Sequence, residues 1–180
     1  MFARTQRLLL RPGWREDAPA VFAAVADWGI APNLARLPWP YRLDHAESWL
    51  AQPQDPVWPS LLIFLRSNDA PELAGGIGIH IGEEGVPELG YWIARAHWGR
   101  GIATEAGRAV VAAARDTLRL PRLASGHFDD NPASGRVLEK LGFRPTGRIV
   151  PRHSLARGED VPCRLLELDL AEDDTVAMAA

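Results

Sequence analysis

The chain has 180 residues, of which 47% are hydrophobic and 24% are charged, values typical of one globular domain rather than of a disordered chain. The formal net charge is −3, without the basic excess that nucleic-acid-binding proteins use to neutralise phosphates. The single cysteine, Cys163, excludes an intramolecular disulfide and a thiolate metal cluster.

The hydropathy pattern predicts a cytoplasmic protein, because no stretch approaches the ~18 consecutive apolar residues of a membrane span and no signal-peptide core is present. Neither a membrane nor a nucleic acid is expected as a partner. We expect a single domain over residues 1–170 and a disordered tail over residues 171–180, where the sequence turns acidic and then small.

The N-terminal part of the chain predicts one strand and two helices. Residues 7–11 form a short apolar segment before a proline, which is typical of a strand. Asp17 as N-cap, with Pro19 in the first turn, predicts a helix that continues to Gly29. After a proline-rich loop with aromatic tips, a capping box at residues 44–47 predicts the start of a second helix.

From residue 61 the pattern changes to a series of strands interrupted by two helices. The predicted elements are antiparallel strands at 61–65, 73–81 and 88–94, a helix from 102 that Pro121 terminates, a strand at 123–128, a helix opened by Asn131 and Pro132 and closed by Gly142, and strands at 143–150 and 163–170. This order predicts a mixed α/β sheet.

The most informative segment is residues 88–106, where a strand leads through a glycine-containing turn into a long amphipathic helix. Backbone N–H groups converge at such a turn and the helix dipole adds positive charge, so the segment predicts a phosphate-binding site. A Walker loop is excluded because Lys140 is the one lysine of the chain. A dinucleotide fingerprint fits poorly at Thr104, and a pyrophosphate-binding turn for coenzyme A is the third alternative.

Two sequence blocks resemble the GCN5-related N-acetyltransferase (GNAT) family, in the branch of the ribosomal-protein N-terminal acetyltransferases. The first is Trp98-Gly-Arg-Gly-Ile-Ala followed by Thr-Glu-Ala, and the second is Asn131-Pro-Ala-Ser followed by Val137-Leu-Glu-Lys-Leu-Gly-Phe. The resemblance extends over about residues 7–150. Trp98 departs from the Gln or Arg with which the phosphate turn of the family begins.

The resemblance implies the fold of the family: a mixed, mostly antiparallel central sheet of about six or seven strands, flanked by helices on both faces. Strands four and five of the sheet would splay apart to admit the coenzyme. The activity it implies is transfer of an acetyl group from acetyl-CoA to a primary amine, by direct attack in a ternary complex and without a metal.

The resemblance also implies the coenzyme-binding residues. Trp92, Ile93 and Ala94 would pair with the pantetheine arm as a pseudo-strand. Asn131 would hydrogen-bond the same arm, and its alternative role is that of a helix N-cap. The residues expected to cradle the pyrophosphate are Trp98, Gly99, Arg100, Gly101, Ile102, Ala103 and Thr104.

The reaction needs a neutral amine, a donor for the oxyanion and a proton for the leaving thiolate. Glu88 is the candidate base, because it begins the strand that leads into the turn; the alternative is a solvated acid. His80 and His127, on strands predicted to be neighbours, are rival bases. Ser134 is the candidate thiolate partner or else a helix-capping serine, since Leu138 stands where most of the family has a tyrosine.

Three aromatic and acidic side chains complete the predicted site. Trp39 and Tyr41 are candidates for the acceptor pocket, or else they cover the end of the sheet. Glu105 is interpreted as a first-turn acid favoured by the helix dipole rather than as a catalytic acid. The histidines show no metal-ligand spacing, so no metal site is expected.

The acceptor stays open at this stage between a small-molecule amine and a peptide N-terminus. The resembling branch contains homodimers, so a homodimer is an open alternative to a monomer. A non-catalytic acyl-CoA-binding or regulatory domain on the same fold is the alternative to an enzyme, and the missing tyrosine at Leu138 is the observation that favours it.

Overall fold

A computed structural model describes residues 1–55, 57–66, 71–82 and 84–171. The strands are β1 (Ala3–Arg4), β2 (Leu8–Pro12), β3 (Ser60–Leu65), β4 (Glu72–Ile81), β5 (Pro87–Ile93), β6 (Arg122–Phe128), β7 (Arg144–Ser154) and β8 (Glu159–Asp169). The helices are α1 (Ala18–Val25), α2 (Leu43–Leu50), α3 (Ile102–Asp116) and α4 (Pro132–Lys140).

Within the described residues the strands form one 8-stranded sheet in the order β1-β2-β3-β4-β5-β6-β8-β7. All neighbouring strands are antiparallel except β5 and β6, which run parallel. The structure confirms the predicted mixed, mostly antiparallel α/β fold, with eight described strands instead of six or seven because the two-residue strand β1 adds to one edge of the sheet.

Helices cover both faces of the sheet, as predicted. The apolar stripe of α3 packs with α4 on one face, and the buried residues of α1 and α2 pack on the other. Strand β3 shows why both faces are needed: Ile63 joins the α3 side while Leu62 and Phe64 join the α1 side. Burial of each such side chain contributes roughly 1.5–3 kcal/mol, so neither helical layer is dispensable.

The strands β5 and β6 separate soon after they meet. Among the described residues, Glu88 and Ala124 form the one paired position between them, and Ser125 Oγ donates a hydrogen bond to the Leu89 carbonyl at 2.8 Å. Beyond Leu89 the two strands diverge toward the carboxyl end of β5. The splayed pair of central strands is therefore confirmed, and it opens a gap in the middle of the sheet.

The first helix is shorter than the sequence predicts. It ends at Val25, not at Gly29, because the Asp27 carboxylate accepts a hydrogen bond from the Gly29 N–H at 2.6 Å and replaces the next helical turn. Trp28 consequently lies outside the helix with 52% of its surface exposed.

Three further boundaries differ from prediction. The N-cap of α2 is Arg42, whose N–H donates to His45 Nδ1 at 3.1 Å, so the predicted capping box at 44–47 is two residues late. Helix α3 ends at Asp116, before Pro121 is reached. Strands β7 and β8 extend as a hairpin over residues 151–162, which carry no apolar periodicity.

The predicted helix end at Gly142 is confirmed. Gly142 has φ +94° and follows α4, where a left-handed residue closes a helix at low cost because glycine has no Cβ. No helix in the described ranges combines the length and apolarity needed to cross a bilayer. Of the predicted tail at 171–180, residues 172–180 lie outside the described part of the chain.

Candidate active site

A cavity of about 1550 Å³ lies at the gap between β5 and β6. At one end it is lined by a turn that leads into α3, named here the anion turn (residues 98–104). At the other end it is lined by Arg36, His80, Glu88 and Arg152, named here the charged end. One continuous cavity therefore joins a predicted phosphate site to a cluster of titratable side chains.

Two glycines set the backbone path of the anion turn. Gly99 has φ +72° and Gly101, the N-cap of α3, has φ +74°. No atom lies within 4 Å of a Cβ built on Gly99, so the glycine is required by its backbone conformation and not by lack of space. Because Gly101 has no side chain to cap α3, the first N–H groups of the helix remain available to an anion.

Glu105 anchors the anion turn to the N-terminal segment. Its carboxylate accepts hydrogen bonds from Thr5 Oγ1 at 2.5 Å, the Arg7 N–H at 2.9 Å and Arg7 Nε at 2.7 Å. Arg7 also donates to the Arg100 carbonyl at 3.0 Å. Burial raises the pKa of Glu105, but these hydrogen bonds outweigh it and hold the pKa below its ordinary value. Glu105 thus has the role of a first-turn acid that fixes the turn.

Trp98 closes the junction between β5 and the anion turn. Its indole Nε1 donates to the Ile93 carbonyl at 2.7 Å, while 48% of the residue is exposed. His97 is buried beneath it and its Nδ1 lies 3.0 Å from Arg100 Nη1. The tryptophan that departs from the family pattern therefore holds the last carbonyl of β5.

Every second residue of β5 has its backbone N–H and C=O groups toward the gap. The Leu89 carbonyl points toward β6, and Ala94 donates its N–H to β4. Because N–H and C=O groups alternate along a strand with period two, Tyr91 and Ile93 face the gap and Trp92 faces β4. Of the three residues expected to pair with the pantetheine arm, Ile93 has its backbone toward the gap.

A hydroxyl pair lies on the α4 side of the gap. Tyr91 Oη is 2.7 Å from Ser134 Oγ and donates at 3.2 Å to the Ser134 carbonyl. Burial raises the pKa of Tyr91 to about 12, so the phenol keeps its proton at neutral pH. Asn131 Oδ1 accepts from the Ser134 N–H at 3.3 Å, which is the N-cap contact. Sequence reasoning missed Tyr91, although strand alternation places it on the face that α4 covers.

The charged end contains a paired carboxylate. Arg152 Nη1 and Nη2 donate to the two Glu88 oxygens at 2.5 and 3.1 Å, and the side chains are 18% and 11% exposed. His80 lies opposite Glu88 on β4. Burial lowers the pKa of His80, and the positive charges of Arg36 and Arg152 lower it further against the opposing effect of Glu88. At neutral pH the imidazole is therefore uncharged.

His127 lies apart from His80. Strand β5 separates β4 from β6, so the prediction that the two histidines lie on neighbouring strands is wrong. His127 packs under α4, where a Cβ on Gly135 would meet its Nε2 at 2.7 Å, and its Nδ1 contacts the Phe128 carbonyl at 2.8 Å. Its ring is thus held by packing on the α4 face, whereas His80 shares a face with Glu88.

The two aromatic candidates for the acceptor pocket separate in the structure. Tyr41 is buried, lines the cavity and lies with its ring centroid 5.5 Å from that of His45. Trp39 is 40% exposed and packs edge-on against Trp28 at 5.1 Å between ring centroids. The structure therefore places Tyr41 in the cavity wall and Trp39 in a surface aromatic pair.

The splayed sheet and the anion turn beside it define an acyltransferase. Residues 7–144 match the family model described as the acetyltransferase (GNAT) domain. The chain is 31% identical over 154 residues to the uncharacterized N-acetyltransferase YoaA of Bacillus subtilis, covering 79% of this chain and 82% of that protein. The chain therefore belongs to the GNAT acetyltransferase family.

Solved structures share the fold at low sequence identity. A GNAT-family acetyltransferase from Bacillus anthracis has a TM-score of 0.81 at 20% identity, covering 96% of this chain and 100% of that chain. RimL, the ribosomal L7/L12 alpha-N-protein acetyltransferase solved with coenzyme A, has a TM-score of 0.79 at 18% identity, with the same coverage of 96% and 100%. These similarities establish the architecture and leave the acceptor to be argued from this chain.

Proposed function

We propose that this chain transfers the acetyl group of acetyl-CoA to a primary amine by direct attack within a ternary complex. The observation that carries the proposal is the single cavity that connects the anion turn with the charged end. A coenzyme at one end and an amine at the other would meet at the gap between β5 and β6.

The residues present fit a coenzyme A thioester, which supplies the acetyl group and a thiol leaving group. The N–H groups of the anion turn, at the positive end of α3, suit a pyrophosphate. The gap-facing backbone of Tyr91 and Ile93 suits the amides of a pantetheine arm. Asn131 uses Oδ1 to cap α4, which leaves its Nδ2 to donate to the same arm.

His80 is proposed to take the proton from the amine. Its imidazole is neutral at pH 7 because its pKa is lowered, and within the described residues no hydrogen bond occupies its ring nitrogens. Both oxygens of Glu88 are occupied by Arg152. A carboxylate held in this way is a weaker proton acceptor than a neutral imidazole, so Glu88 is proposed to keep Arg152 in place.

Ser134 is proposed to protonate the leaving sulfur. Tyr91 has one hydroxyl proton, so when that proton turns from the Ser134 carbonyl to Ser134 Oγ, the serine proton is free to point into the gap. The amine nitrogen then bonds to the carbonyl carbon as the carbon–sulfur bond breaks. One amine proton passes to His80, and the sulfur receives the proton of Ser134, which Tyr91 helps to replace.

The test is release of free thiol from acetyl-CoA in the presence of a panel of amines. We expect amine-dependent release that Ser134→Ala lowers by about 100-fold, the lower range for a general acid, with Tyr91→Phe causing a smaller loss. The dissociation constant of acetyl-CoA, measured by calorimetry, should be unchanged in both variants. Tight coenzyme binding with no thiol release for any amine would refute the transferase and favour a binding domain.

A further inference from the structure

The charged end of the cavity carries an excess of positive charge. The charge of Glu88 is balanced by Arg152, and His80 is neutral because burial and the nearby arginines lower its pKa. Arg36 lines the same end of the cavity, and no described carboxylate forms an ion pair with it. The Arg36 side chain, which is exposed, therefore lies at this end of the cavity without a described carboxylate to neutralise it.

The hairpin of β7 and β8 forms one wall of the charged end through Arg152, His153 and the nearby Leu155. The Leu155 N–H, at the tip of the hairpin, donates to the Ala35 carbonyl at 3.0 Å. Arg157 Nε donates to the Pro32 carbonyl at 2.9 Å and Nη1 to Asp130 at 2.6 Å. The bonds to Ala35 and Pro32 tie the hairpin to the loop between α1 and α2 next to Arg36, and the bond to Asp130 ties it to the loop between β6 and α4. A cavity wall fixed in this way favours a small acceptor over an extended chain.

We infer that the acceptor of this enzyme is a small amine with a carboxylate beside its amino group, such as a free α-amino acid, and that Arg36 binds the carboxylate. The inference rests on the proposed function. A guanidinium is suited to a carboxylate because its paired N–H groups match the two oxygens. The excess positive charge also disfavours an ammonium ion at His80, so the amine is held in the neutral form that attacks.

Acceptors that differ only in the carboxylate test whether the enzyme recognises that group. The wild-type protein is assayed by thiol release with the 20 proteinogenic amino acids, with the decarboxylated amine and the amide of the best of them, and with spermidine. We expect kcat/KM for the amino acid to exceed that for the amine and the amide by about 10- to 100-fold, the range of a charged hydrogen bond.

Variants then test whether Arg36 is the residue that binds the carboxylate. Arg36→Gln should remove the preference by lowering kcat/KM for the amino acid about 10- to 100-fold more than that for the matched amine, and Arg36→Lys, which keeps the charge, should restore part of the preference. Arg108→Gln, an exposed arginine on α3, makes the same charge change away from the cavity and should leave both values unchanged.

The outcomes separate the two proposals. Equal rates for amine and amino acid, or a preference for spermidine, would overturn the carboxylate inference while leaving the transferase in place. An equal loss for both acceptors in Arg36→Gln would overturn the role of Arg36. The absence of thiol release with every acceptor would refute the proposed function and this inference with it.

Discussion

Removal of both partners of the Glu88–Arg152 ion pair should destabilise the fold by less than the sum of the two single removals. The pair has charged hydrogen bonds of 2.5 and 3.1 Å, and its side chains are 11% and 18% exposed. Loss of one partner of a buried pair costs ~3–5 kcal/mol. Because both groups keep some contact with solvent, we expect about 2–3 kcal/mol for Glu88→Gln and for Arg152→Met, at the lower edge of that range.

The coupling between the two substitutions is the informative quantity. In a double-mutant cycle we expect a coupling energy of about 1.5–2 kcal/mol, because the double variant leaves no uncompensated charge. Urea unfolding followed by tryptophan fluorescence gives each free energy, and the 7 tryptophans of the chain supply the signal. A coupling energy below about 0.5 kcal/mol, the limit of additivity for independent sites, would refute the ion pair.

Three other perturbations test separate parts of the site. Gly101→Ala forces an alanine to φ +74°, so it should lower the free energy of unfolding by ~1–2 kcal/mol and weaken acetyl-CoA binding. The control Gly85→Ala, at φ +73°, should lower stability by the same amount without weakening acetyl-CoA binding. Glu105→Gln should lower the free energy of unfolding at pH 7 by ~1–2 kcal/mol. The pKa of Glu105 in the folded protein lies below 4.5, so its carboxylate stabilises the fold above that pH. The difference in stability from wild type should therefore vanish as the pH falls through the folded pKa. For the wild type, kcat/KM expressed per neutral amine should fall with a midpoint below pH 6.5, since the pKa of His80 is lowered from 6.5. A midpoint above pH 6.5 after this correction for the amine, or an unchanged profile in His80→Asn, would contradict the role of His80.

The backbone conformation of the anion turn was predictable because the sequence features that determine it are local. Gly99 and Gly101 precede an amphipathic helix, and a positive φ at these positions follows from glycine chemistry within a few residues. The end of α4 at Gly142 was predictable for the same reason. Each of these features depends on the conformation of one residue and on the periodicity of its neighbours.

The charged end was not predictable because it is assembled from distant segments. Arg152 reaches Glu88 across 64 residues of sequence, and Tyr91 reaches Ser134 across 43. Arg152 lies in the segment Pro151-Arg-His-Ser of β7, which contains no alternation of apolar and polar residues, so hydrophobic periodicity gives no signal there. Whether His80 and His127 lie on neighbouring strands also depends on the order of the strands in the sheet, which the residues around each histidine do not determine.

The hairpin of β7 and β8 divides the enzyme into two parts that can change independently. The match to the family model ends at residue 144, where β7 begins, whereas Arg152 and the bonds of Leu155 and Arg157 that fix one wall of the charged end lie beyond it. Substitutions in this hairpin alter the charged end of the cavity without touching the glycines or N–H groups of the anion turn. Such a division lets a lineage of these enzymes exchange one acceptor for another while the coenzyme half stays the same.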